Sequence, residues 1–147
     1  MLEILKQLAR LSKDSNINTS FTLPEAIPDI AGEPLETRIV SLIHEIGIPS
    51  QIMGYQYLKD AVQITMHDRD TLNAITKVLY PEVAIKNKTT SSRVERAIRH
   101  AIEIAFTRGK SEFITSLCGY SINPATGKPT NSEFIAVISD YLRMKHH

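Results

Sequence analysis

A chain of 147 residues has room for one ordinary domain and a tail, and 42% apolar with 22% charged residues is a mostly globular composition. A net charge of +1 argues neither for nor against an anionic partner, the single Cys118 excludes an internal disulfide framework, and no apolar run is long enough to span a membrane. Met1 opens an amphipathic stretch with Glu3 rather than a basic region before an apolar run, so no signal peptide is read and a reducing cytoplasm is the expected setting.

Leu2 to Leu11 has helical spacing (Leu2, Ile4, Leu5, Leu8, Leu11) but is too short to be a stable helix unless it docks. Ser12 to Pro34 loses that period and carries Pro24, Pro28, Gly32 and Pro34, which reads as a linker or surface arm. Residues 1–34 are therefore set apart from a domain over 35–147. Leu35 to Ile46 is expected to be a helix with Leu35, Ile39, Leu42, Ile43 and Ile46 on one face, stopped by Gly47 and Pro49. Tyr55 to Met66 is a second helix, and Thr71 to Leu79 a third with Leu72, Ile75, Val78 and Leu79 inward. Pro81 can open a further short helix to Lys86, because a proline is tolerated in a first turn.

The turn Asn87-Lys88-Thr89 leads into the most informative stretch, Thr89 to Arg108. Val94, Ala97, Ile98, Ala101, Ile102 and Ala105 form a helical apolar stripe, while Arg93, Glu95, Arg96, Arg99 and His100 lie outside it. Ser92 with Glu95 satisfies a capping box, but Thr90 is an equally good cap that would free Glu95. Ala84 to Lys110 holds seven Lys or Arg against two Glu, a local +5 on a chain whose total is +1. Such a stretch is either an anion-binding face or a solvated helix side. Ser111 to Leu117 is a short helix, Gly119 to Lys128 a loop, and Thr130 with Glu133 a second capping box before a last helix bearing Phe134, Ile135, Val137, Ile138 and Leu142. No strand signal appears. The expected class is all-α: a six-helix, bundle-like domain preceded by a short helix and linker.

The pair around residue 88 meets the positional demands of a helix-turn-helix. Ala84 is the small residue at the crossing, Lys88 holds the position that needs positive φ, and Val94 and Ala97 lock the second helix. The outward positions then include Thr90, Ser91, Glu95, Arg96 and Arg99.

KVLYPEVA, TTSSRVERAIRHAIEIAFTRGK, SLCGY and KPTNSEFIAVISDYLR, with HEIGIPSQIMGYQYLKDAV upstream, resemble the C-terminal DNA-binding (effector) domains of sporulation stage zero response regulators. These are the sporulation master transcription factors of Firmicutes, and the similarity runs from about Leu35 to Met144. It implies an embedded helix-turn-helix that binds double-stranded DNA as tandem copies, a tandem homodimer on a promoter box with a TGTCGAA core, and activates or represses transcription. It also implies contact with an RNA polymerase sigma subunit through a surface near Phe106 to Tyr120. Carried over by position, it makes Arg93, Glu95 and Arg96 the base readers. Arginine grips guanine O6 and N7, and glutamate accepts from cytosine N4, so the chemistry suits a G·C-containing core. Lys86, Lys88, Thr89, Ser91, Arg99 and His100 are placed for phosphates, which supply salt-dependent affinity without sequence information. Lys88 stands where the family more often has Asn. The family's phosphoacceptor receiver is not found before Leu35, so Met1 to Pro34 is read as the end of a receiver and its hinge, and DNA binding is expected without phosphorylation.

No enzyme is expected, and neither a cofactor nor a metal. His44-Glu45 lacks the second histidine of a zinc-protease motif, since position 48 is Ile48. His67-Asp68-Arg69-Asp70 are consecutive and cannot all face one ion. The alternative to a transcription factor is a protein-interaction module whose basic helix binds an acidic partner.

Overall fold

The computed structural model describes residues 33–108, 111–119 and 123–145. The expected N-terminal helix, nearly all of the linker and Gly109 lie outside the described residues. Helix α1 spans Leu35–Ile46, and α2 spans Met53–His67. Gly47 ends α1 at φ 103°, with its amide donating to His44 and the Ile48 amide to Ile43. This is a Schellman turn, whose left-handed residue is costless for glycine.

Arg69 to Leu79 departs from the regular helix expected over Thr71 to Leu79. Arg69–Ala74 is a 3-10 segment, opened by the Asp68 carboxylate accepting from the Asp70 amide. Ile75–Leu79 is a π turn, in which the Tyr80 amide reaches back to the Ile75 carbonyl. Helix α3, Tyr80–Lys86, then carries Pro81 in its first turn. Proline has no N–H and its ring crowds the carbonyl four residues earlier, so the wider turn before it accommodates the ring without breaking the chain's helical path. The wider turn also rotates the register. Leu79 is fully buried, but Val78, expected inward, is 41% exposed.

Helices α4 (Ser91–Arg108), α5 (Ser111–Cys118) and α6 (Asn131–Lys145) complete six α-helices among the described residues. The fold is all-α. The only extended pairing among those residues is an isolated antiparallel bridge, Asn123 to Lys128, closing a turn. The Thr130–Glu133 capping box forms as its spacing demands: the Thr130 amide donates to Glu133 Oε1 at 2.9 Å and the Glu133 amide to Thr130 Oγ1 at 3.2 Å.

Helix α2 is the platform. It packs against α1, α4 and α6, while α3 lies on α4. Ile39, Ile43, Leu58, Val62, Ile98, Ile102, Phe134 and Ile138 fill the shared core. Two arginines tie helix ends that would otherwise leave carbonyls unpaired. Arg38 donates to the Leu142 carbonyl of α6 at 2.7 Å, and Arg143 to the Thr65 carbonyl of α2 at 3.0 Å. Cys118 is 1% exposed and burial pushes its thiol up to about 11, which fits a structural thiol rather than a nucleophile. Among the described residues no helix is long and apolar enough to cross a membrane.

Candidate nucleic-acid interface

Helices α3 and α4 meet at a turn built like the end of α1. The Lys88 amide donates to Ile85 at 3.3 Å and the Thr89 amide to Ala84 at 2.9 Å, a second Schellman pattern. Its left-handed residue is Lys88, at φ 55° the one non-glycine residue with positive φ among those described. The expectation for position 88 is met with a lysine, whose Cβ makes that conformation costly. Ala84 and Val94 are buried at the crossing, as the helix-turn-helix spacing requires.

Thr90, not Ser92, caps α4. Its hydroxyl oxygen accepts from the Arg93 amide at 3.3 Å, and its carbonyl accepts from Val94 at 3.0 Å. Ser92 lies inside the helix, so Glu95 has no capping duty. Its carboxylate instead takes a hydrogen bond from Arg99 Nη1 at 2.5 Å, one turn further along.

The buried side of α4 is Val94, Ile98, Ala101, Ile102 and Ala105, five of the six apolar residues expected there; Ala97 is half-buried. Arg93, Arg96 and His100 are exposed, and their i, i+3, i+7 spacing sets them along one outward line. Arg93 and Arg96 have no ion-pair partner among the described residues. Glu95 and Arg99 lie on the flank of α4, beside Tyr80 and the segment around Lys128 to Asn131. Lys86 and Lys88 are exposed where α3 ends, and Thr89 and Ser91 are half-buried in the turn. The structure thus gathers the expected base-reading and phosphate-contacting residues at one edge of the molecule, with Glu95 and Arg99 paired at its side.

Three supports of this edge have no local signal in the sequence. Gly54 of α2 touches α4 so closely that a Cβ there would lie 2.3 Å from the Ala97 carbonyl oxygen. Asp60 of α2, 1% exposed, accepts from Asn87 Nδ2 at 2.8 Å and from Gln56 Nε2 at 3.1 Å, with Lys86 Nζ at 3.4 Å. Asn131 of α6 donates to the Glu95 carbonyl at 3.1 Å and to the Tyr80 hydroxyl oxygen at 2.9 Å. Burial pushes the Tyr80 hydroxyl above its ordinary range, against the opposing effect of the Asn131 bond. Each support joins positions far apart in the chain.

A short helix, a left-handed turn and a second helix with a cationic outer line define a helix-turn-helix DNA-binding domain. The family model described as Sporulation initiation factor Spo0A C terminal matches residues 39–142, and the chain belongs to that family. It carries a DNA-binding, transcription-regulating domain of sporulation response regulators, and that family is not one of enzymes.

Proposed function

We propose that α4 enters a DNA major groove, reading base edges through Arg93, Glu95 and Arg96, while Lys86, Lys88, Thr89, Ser91, Arg99 and His100 meet phosphates. The observation that carries this reading is the exposed line of Arg93 and Arg96, two cations left without an ion-pair partner among the described residues and held on a helix whose other face is buried. An arginine committed to an internal carboxylate would have to break that bond before gripping guanine. Arg99 is so committed, which suits it to bridge Glu95 and a phosphate rather than to read a base.

The target is a TGTCGAA-like promoter box bound by tandem copies. Occupancy there activates some sporulation promoters and represses others, with α5 and its flanks presented to an RNA polymerase sigma subunit. Glu112, Thr115 and Ser116 on α5 are exposed and available to such a partner. A DNA ligand of this kind places the chain in the cytoplasm.

The test is a titration of the box duplex against a scrambled duplex of equal length. The chain should prefer the box, and its affinity should fall steeply with salt. A bidentate arginine–guanine contact is worth roughly 1–3 kcal/mol, so Arg96→Ala should weaken box binding by roughly 5- to 150-fold and scrambled binding far less. Equal binding to both duplexes, or equal losses on both, would instead favour a module for acidic proteins.

A further inference from the structure

We propose that Asp60 is a positioning residue for DNA recognition, setting the angle of α4 through Asn87. The inference rests on the major-groove reading above and adds to it a residue that touches no base.

A buried carboxylate is expensive, and an apolar side chain of similar size usually serves stability as well or better. Asp60 is nevertheless 1% exposed in the middle of α2, the one buried carboxylate among the described residues, in a core made mostly of apolar side chains. Its partners outside α2 all lie at one place, the end of α3. Gln56, one turn earlier on α2, holds both carboxylate oxygens at 3.1 and 3.2 Å. The oxygens so oriented meet Asn87 Nδ2 at 2.8 Å and stand 3.4 Å from Lys86 Nζ.

Asn87 closes α3. Its side-chain amide donates also to the Val83 carbonyl at 2.9 Å, so both of its N–H groups are used, one on its own helix and one on α2. The next residue is Lys88 in its left-handed conformation, and α4 begins at Ser91. The hinge between the two helices is therefore only Asn87 to Thr90, and its first residue is pinned to the platform by Asp60. Small rotations here swing the first turn of α4, which carries Arg93. Bidentate base contacts tolerate such a swing poorly, whereas attraction to phosphates tolerates it well. A tether at this point thus acts on discrimination more than on total affinity.

The experiment uses the whole 147-residue chain with Asn87→Ala, Asp60→Ala, both together, and Asp60→Asn. Each is titrated with box and scrambled duplexes, and folding is followed by circular dichroism. Asn87→Ala should keep its helix content and its scrambled-duplex affinity within about twofold, while its preference for the box drops roughly tenfold. Asp60→Ala should lower the preference similarly, and the double variant should be no worse than either single one, because one tether is lost in each. Asp60→Asn, which keeps a carbonyl acceptor, should recover part of the preference. A folded Asn87→Ala chain that discriminates as well as the unsubstituted one overturns the inference, as do single effects that simply multiply. No preference in the unsubstituted chain overturns the major-groove reading and this inference with it.

Discussion

Lys88 takes the left-handed conformation that Gly47 takes at the end of α1, but with a side chain to accommodate. A Cβ in that region costs about 1–2 kcal/mol, and glycine returns part of the gain through its greater freedom in the unfolded chain. Lys88→Gly should therefore raise the unfolding free energy by about 0.5–1 kcal/mol in urea titrations. The same substitution removes an exposed ammonium proposed to meet a phosphate, and the slope of log affinity against log salt should become shallower by about one. The two readouts separate the two roles. A less stable variant would deny the backbone strain, and an unaltered slope would deny the phosphate contact.

At the scale of elements, α2 positions the recognition pair at two points: Asp60 beneath the turn and Gly54 against α4. Gly54 permits an approach no other residue allows, since a Cβ would lie 2.3 Å from the Ala97 carbonyl oxygen and 2.8 Å from the Ala101 Cβ. Helix propensity alone favours alanine there by about 1 kcal/mol. The clash opposes it, and backbone cannot step aside as a long side chain can. Gly54→Ala should lose about 1–3 kcal/mol net, seen as a lower urea midpoint with an unchanged slope. A raised midpoint would mean that α2 and α4 separate freely. Periodicity was enough to read α1, α2, α4 and α6, the Thr130–Glu133 cap and the cationic line of α4, because those depend on neighbours three or four residues apart. The choice between Thr90 and Ser92 as cap was open because both offer a hydroxyl, and backbone geometry decides it. The π turn before Pro81 and the outward Val78 were illegible from spacing that assumes a regular helix. Asp60 and Asn131 were missed for a different reason: a lone polar residue on a helix reads as surface, and only packing reveals that it meets Asn87 or Glu95 from 27 or 36 residues away.

Across the whole molecule, alkaline pH should be the weak side of stability. Cys118 on α5 is buried, and burial raises its thiol from 9.0 to about 11. Tyr80, the first residue of α3, is also raised, from 10.0, chiefly by burial. A group whose pKa is raised on folding holds its proton more tightly in the folded state. Its contribution is fully present below the unfolded pKa and is lost as pH climbs toward the folded one. For Cys118 the loss begins near pH 9 and is complete near pH 11, and a shift of that size corresponds to about 2–3 kcal/mol. Tyr80 joins only above pH 10, so the two contributions start one after the other. Urea unfolding in the presence of a reductant should therefore give a stability that declines from pH 9 and declines more steeply above pH 10. Cys118→Ala should lower the starting stability by leaving a small cavity, yet remove the decline between pH 9 and pH 10 and leave a shallower one above it, where Tyr80 alone remains. Parallel declines in the two chains over that interval would show that the Cys118 thiol is not what the folded core protects. Because α5 closes on α6 and α3 feeds the recognition turn, this single pH axis reads the integrity of both ends of the domain.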